Sequence, residues 1–310
     1  MRALRHPTPR ALLGAALLCA ALASPAADAA AHSAPPQRIA SINLCTDQLL
    51  MALVAPERIV SLSLLSLDEH AAYRRADASR VHINAALAEE IIPLRADLVL
   101  AGPFSNRRTA ALLRRLGQRV ETFELADSIA GLRDNLRRLG EIVGESARAE
   151  ALIAQMDARL VAATAGQLPD QRPSAAVYLP RGYSSGEQSL QGEVLRAAGF
   201  ANAAARAGLR GYGQLSLEDL LHARPDLLVT SDYAPGTASL ADRHLQHPVL
   251  RRVTRDRPMV RVPYKLWICA GPWIAEAVEI LAAARRELAR EAAVDTANDA
   301  DAGAAGGDPR

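Results

Sequence analysis

Beyond residue 30 the chain holds two cysteines, Cys45 and Cys269. Thiolates are soft ligands for a metal centre. Two cysteines whose Cα atoms come within about 7 Å can instead form a disulfide. Two small, half-buried thiols with neither role are the third reading, and all three stay open at this level. Asp47 follows Cys45 closely, but no histidine can be nominated as its base, so a nucleophilic cysteine finds little support. His70 and His82 stand alone, without the paired spacing of a metal site. No catalytic residue, no metal ligand set and no cofactor of the protein's own is expected. What remains is binding chemistry, from aromatic walls and a few fixed polar groups. Tyr183, Tyr212, Tyr233, Tyr264 and Trp267 supply the former in the second half of the chain, with Phe104 and Tyr73 in the first. Arg181 and Lys265 could meet an anion.

The elements that must position these residues are short. "RIASIN" at 38–43 reads as a strand, followed by "LCTDQLLMAL" at helical spacing. "RIVSLS", "LVLAG" and "VETFEL" are further strands, and "NRRTAALLRRLG" is a helix stopped by Gly117. Alternation of short apolar strands with helices predicts a parallel sheet covered on both faces. From 128 to 165 the apolar spacing is helical with no proline, although Gly140 and Gly144 weaken it. One long helix is expected there. Strands and helices then resume through "SAAVYL", "LQGEVLRAAGF", "DLLVTS", "MVRVP" and a closing helix at "PWIAEAVEILAAARRELAR".

The chain is 50% hydrophobic but only 4% aromatic, so its cores must be built mainly from Ala, Leu and Val. The first thirty residues combine Arg2, Arg5 and Arg10, the apolar "ALLGAALLCAALA", and small residues ending near "ADA". That is the layout of a secretory signal peptide. The three arginines outweigh the single acid Asp28, so the chain's +2 formal charge belongs to the leader. Nothing in the remainder has the basic footprint of a nucleic-acid binder. The expected organisation is a signal peptide over 1–30, an amino-terminal lobe over 37–127, a linker helix over 128–165, a carboxyl-terminal lobe over 172–290, and a disordered tail over 291–310.

Two stretches nearly repeat each other: "ALAEEIIPLRADLVLAG" from Ala86 and "SLEDLLHARPDLLVTS" from Ser216. In a gapless overlay Glu89 falls on Glu218 and Asp97 on Asp226. Each reads as an acidic helix start, then an Asp turn, then a buried strand, with Ser216 a helix cap. The phrase repeats because the chain has two similar α/β lobes.

The order of these segments, with "RIASINLCTDQLL", "PERIVSLS", "AEEIIPLRADLVLAG", "SSGEQSLQGEVLRAAGFANAA" and "LSLEDLLHARPDLLV", resembles the periplasmic substrate-binding proteins of ABC importers for iron–siderophore complexes and vitamin B12. The resemblance covers roughly residues 38–289. It implies α/β architecture with two Rossmann-like lobes joined by a single long α-helix. It also implies a ligand in the cleft between them and no enzymatic step. One glutamate on each lobe would dock on the permease, by position Glu89 and Glu218, with Glu90 an alternative to Glu89. Trp267 falls near an aromatic that lines the cleft in B12-binding relatives, and "SSGEQSLQGEVLRAAGFANAA" looks especially like the matching stretch in those relatives.

Ligands of open α/β sheets bind beyond the carboxyl ends of the strands. That rule nominates the loops 43–47, 63–69, 102–107, 180–189, 231–236 and 264–273. The expected ligand-binding residues are Asn43, Cys45, Asp47, Tyr183, Tyr212, Tyr233, Lys265, Trp267 and Cys269. The implied cargo is a metal chelate or corrinoid, with haem the alternative and a tetrapyrrole metal chelatase a distant one. The implied partners are an ABC permease and its ATPase, and no nucleic acid. The implied place is the periplasm, peripheral to the inner membrane through the permease only.

Overall fold

The computed structural model describes residues 34–104, 107–167, 172–231 and 258–305, with side chains to 294. The leader expected over 1–30 and Tyr233 lie outside the described residues. All described elements fall within one compact unit, Pro35–Arg310.

The first lobe is a five-stranded sheet of β1 (Ile39–Ser41), β2 (Ile59–Ser63), β3 (Ile83–Asn84), β4 (Leu98–Ala101) and β5 (Val120–Thr122), in the order β3-β2-β1-β4-β5. Every pairing in it is parallel. Its helices are α1 (Leu44–Leu53), α2 (Arg75–Ala78), α3 (Ala88–Ile91), α4 (Arg107–Arg115) and α5 (Ile129–Val143). Helix α6 (Ser146–Ala163) leads to the second lobe. There β6 (Ser174–Val177), β8 (Ala201–Asn202), β10 (Leu227–Thr230) and β11 (Met259–Arg261) form a sheet in the order β11-β10-β6-β8, again parallel. β7 (Tyr183–Ser185) and β9 (Tyr212–Gln214) pair antiparallel beside it. α7 (Leu190–Ala197), α8 (Ala203–Arg206), α9 (Leu217–Ala223) and α10 (Ile274–Ala305) complete the lobe.

Strand periodicity divides the core. Ile39, Leu98, Leu100, Ala175, Val177, Leu227 and Val229 point into one cluster that continues from lobe to lobe through α1, α5, α6, α7 and α10. Their neighbours Ala40, Val99 and Ala101 pack under α3 and α4, and Ala176, Tyr178 and Leu228 under α8 and α9. A shared apolar face on one side explains why the two lobes form one unit.

The near-repeat has a structural cause. Asp97, just before β4, accepts the backbone N–H of Gln37 at 2.7 Å and that of Arg38 at 3.0 Å, where β1 begins. Asp226, just before β10, accepts the backbone N–H and the hydroxyl of Ser174, each at 2.7 Å, where β6 begins. In both lobes an aspartate ties the start of one central strand to the start of its neighbour. Two residues earlier, Arg95 (φ 49°) and Arg224 (φ 41°) both take the left-handed turn that delivers it.

The single helix expected over 128–165 is two helices. Gly144 ends α5 at φ 74°, a left-handed cap that glycine adopts at little cost. A Cβ there would come within 2.7 Å of Pro35. α5 folds back against α6, and among the described elements α6 carries the chain from the first lobe to the second. Its first turn is held to the first lobe by Arg148, which donates to the Ala52 carbonyl at 2.9 Å. Its last turn is held to α10 by Arg286, which donates to the Ala163 carbonyl at 3.1 Å. The expected disordered tail also differs, because α10 runs on to Ala305. Its alanine-rich text has high helix propensity and no proline before that point.

Arg58 closes the α5–α6 corner. Its guanidinium donates to the carbonyls of Pro36 at 2.7 Å and Val143 at 2.6 Å, and pairs with Glu145 at 2.8 Å. Arg58→Met should cost about 2 kcal/mol, because it strands the Val143 carbonyl at the end of α5, the Pro36 carbonyl and the Glu145 acid in a half-buried place. A urea midpoint unchanged from the native protein would refute this.

Candidate functional site

β1 ends at Ser41, and the chain turns at once into α1. Asn43 makes the turn: its side-chain oxygen accepts the N–H of Cys45 at 2.9 Å and of Thr46 at 3.3 Å. The same side chain fills the space a Cβ on Gly102 would need, at 2.6 Å. Asn43 therefore shapes the loop floor rather than reaching outward. Asp47 is fully buried and accepts from the Ser63 N–H at 3.2 Å and from the Ser63 hydroxyl. Burial pushes its carboxyl up to about 7, and hydrogen bonds from Ser41 and Ser63 pull it back only in part. The expectation that Asp47 contacts ligand is corrected, since it ties α1 to the end of β2.

Cys45 and Cys269 are joined as a disulfide, with Cα atoms 5.0 Å apart across a sequence separation of 224. Among the described residues no group of three or more His, Cys, Asp or Glu could hold a metal ion. The two sulfurs bind each other, so neither is free to contact a ligand's metal. Cys45 lies just beyond β1 in one lobe, and Cys269 follows β11 in the other. Their bond therefore brings the carboxyl ends of the two parallel sheets together, which is where such sheets bind ligands.

The loops that follow strands of both lobes expose apolar side chains. Leu64 and Leu65 after β2 are 58% and 54% exposed, Phe104 after β4 is 78% exposed, and Tyr183 after β6 is 52% exposed. Tyr183 and Tyr212 share one face of the β7–β9 pair, since Tyr212 sits opposite Ser185, two residues from Tyr183. The Tyr212 ring is exposed, while its hydroxyl is tucked against α7, accepting from the Leu190 N–H at 3.3 Å. That burial raises its pKa. Lys265 and Tyr264 are half-buried in the turn after β11. Burial and the nearby Asp68 raise the Tyr264 pKa. Arg181 is exposed in the loop after β6, in a left-handed conformation. Leu64 and Leu65 escaped the sequence reading. Their signal was the apolar run "LSLL" continuing past a strand with no amphipathic helix to bury it.

Trp267 is corrected too. It is 2% exposed, and its indole N–H donates to the Ser231 hydroxyl at 3.2 Å, so it supports the floor of the site from within. Tyr73 is likewise no cleft wall. Its ring stacks on Trp273 with centroids 4.9 Å apart, and its hydroxyl donates to Glu276 at the start of α10. Burial and Glu276 push its pKa up to about 12. Arg159 on α6 pairs with Glu279 at 2.8 Å, one turn along from Glu276. The backbone N–H of Ile129 at the start of α5 donates to Glu193 on α7. These contacts form a bracing layer between the lobes.

His70 pairs with Glu69 at 3.2 Å, and His82 is exposed. Of the helix-start acids, Glu90 accepts the Ala85 N–H at 2.6 Å, and Asp219 closes the Ser216 cap at 2.6 Å. Glu89 and Glu218 are exposed, and neither carboxylate is bonded to a described residue. A hollow of about 680 Å³ is lined by Arg172, Pro173, Asp226 and Arg285, among others. It lies at the amino ends of β6 and β10, away from the disulfide.

The family described as periplasmic binding protein matches residues 39–254. A cobalamin-binding protein of Halobacterium salinarum is 32% identical over 211 residues, which is 66% of this chain and 57% of the relative. The chain thus spans little more than half the length of that relative. The solved apo form of the periplasmic heme-binding protein RhuT from Roseiflexus sp. RS-1 is 24% identical with a TM-score of 0.67, covering 82% of this chain and 99% of that one. The periplasmic vitamin B12 binding protein BtuF of Vibrio cholerae is 21% identical with a TM-score of 0.62, covering 82% and 98%. The structural likenesses establish the two-lobed fold. With the match spanning both lobes, the chain belongs to the periplasmic binding protein family.

Proposed function

We propose that this protein is the periplasmic solute-binding component of an ABC importer, which captures a corrinoid or an iron chelate between its lobes and presents it to a permease. The observation that carries the reading is the meeting of two sets of carboxyl-terminal loops, rich in exposed apolar side chains and fixed by a covalent floor. Leu64, Leu65, Phe104 and Tyr183 suit a large, partly apolar ligand, with Lys265 and Arg181 available to its acidic groups. Any metal would arrive as cargo within the chelate. No chemical step is assigned to the protein. Haem is the alternative occupant, favoured by the exposed Tyr183, since a phenol oxygen can ligate ferric iron.

Titration of tryptophan fluorescence with cyanocobalamin, haemin and ferric siderophores tests this, with an inner-filter control. Saturation by one of them below about 10 μM, near −7 kcal/mol, fixes the substrate class. No saturation and no rise in thermal stability with any of them would defeat the proposal.

Glu89 and Glu218 are the proposed permease contacts, one per lobe. Glu90 and Asp219 are already engaged in their own helix starts, which favours the outer acid of each pair. Glu89→Ala with Glu218→Ala should leave ligand affinity within about twofold and reduce transport at least tenfold. Undiminished uptake by cells carrying the double variant would refute the docking role.

A further inference from the structure

Among the described elements α6 carries the backbone from lobe to lobe, and the two lobes share one apolar core. Apolar packing limits their relative motion but is non-directional. The disulfide adds a covalent tie at the carboxyl ends of the strands. We propose that Cys45 and Cys269 are a positioning pair: their bond restricts the remaining hinge motion of the lobes and holds the cleft near its binding width. This rests on the reading of the cleft as the ligand site. The Tyr73–Trp273 stack and the Tyr73–Glu276 bond brace the same region without covalent links. Because the lobes are already ordered relative to each other, less is lost on ligand binding, and the gain falls on residence time.

The bond is built to persist. A dithiol reductant must attack one sulfur, forming a mixed disulfide and expelling the other as thiolate. Cys45 is partly exposed, whereas Cys269 is 1% exposed in the core that holds Leu266, Trp267 and Trp273. Attack at Cys45 expels the Cys269 thiolate into apolar surroundings. Cys45, in the first turn of α1, is the better leaving group, since a helix amino terminus favours thiolate. It is released only by attack on the buried sulfur. Access and leaving-group quality thus fall on opposite sulfurs. Once a mixed disulfide does form, the reductant's second thiol displaces Cys45 and leaves as the cyclic disulfide, giving two protein thiols.

The test compares native protein with Cys45→Ala, Cys269→Ala. Donor and acceptor dyes are placed by non-cysteine chemistry at exposed positions 80 and 206, one per lobe. A narrow dye-separation distribution in the native protein should broaden in the variant. Dissociation of cyanocobalamin, haemin or ferrichrome, whichever binds, should quicken about tenfold with association little changed. Identical distance distributions overturn the proposal. If none of the three probes binds, the cleft reading fails while the distance comparison still decides the hinge. Should the alanine pair not fold, Cys45→Ser with Cys269→Val takes its place. In excess dithiothreitol the folded native protein should show no reactive thiol until urea unfolds it. Rapid reduction of the folded form would overturn the sheltering argument.

Discussion

Replacing Cys45 and Cys269 together with alanine is expected to lower the unfolding free energy by about 3–5 kcal/mol. The bond closes a loop across a sequence separation of 224. Such a loop restricts the unfolded chain strongly, and in the chain-entropy account a loop of about 100 residues is already worth nearly 5 kcal/mol. Native disulfides commonly deliver somewhat less. For a domain of this size the loss corresponds to a melting point roughly 10 °C lower. The apolar contacts of Cys269 largely survive as alanine, so most of the loss should come from the cross-link. Calorimetry of native and variant protein measures it, and a difference under about 1 kcal/mol would mean that the unfolded chain is already compact without the bond.

The second large effect concerns Asp47. Its carboxyl sits at about 7 in the folded protein against 3.8 in an open chain, because burial disfavours the charged form. Between those values the folded state holds a proton that the unfolded state has released, so stability falls as pH rises. The contribution is fully present below about pH 4 and lost by about pH 7 to 8. At about 1.4 kcal/mol for each pH interval, the loss is on the order of 4 kcal/mol. Asp47→Asn should abolish it. The amide oxygen can accept the Ser63 N–H as the acid does, and the amide nitrogen can donate to a rotated Ser63 hydroxyl. Variant and native urea midpoints should coincide near pH 4 and separate at pH 8 in favour of asparagine. Midpoints that track each other over that range would show that Asp47 carries no ionisation penalty.

The fold was legible where local text and tertiary role coincide. "LCTDQLLMAL" announced α1 to the residue, and the paired phrases around Asp97 and Asp226 announced two lobes, although the bonds each aspartate makes to a neighbouring strand, at Arg38 and Ser174, could not be read from the local text. Gly144 showed as a weak point, but helical spacing resumes after it. The left-handed turn at Gly144 and the Arg58 contacts that close the corner reverse the chain there, and those contacts come from residues far from it in the sequence. The site was less legible. Cys45 and Cys269 lie at opposite ends of the sequence, and their meeting depends on how two lobes dock, a distance no spacing encodes. Trp267 has the type of a ligand wall and the location of a core residue, which only burial distinguishes. Glu89 and Glu90 are equivalent as text, and the Ala85 N–H separates them by engaging one.

The ties between the lobes also have an order in time. Cys269, Trp273, Glu276 and Glu279 all come from the last stretch of the chain, while their partners Cys45, Tyr73 and Arg159 come far earlier. A chain delivered amino end first can fold its first sheet and α6 while the fastening still lags behind. Until the final strand and helix arrive, Cys45 waits unpaired. A nascent or clipped chain lacking that last segment has no partner for Cys45 or the Tyr73 ring, and the apolar face shared by the lobes is left partly uncovered. The carboxyl-terminal stretch thus completes the fastening last.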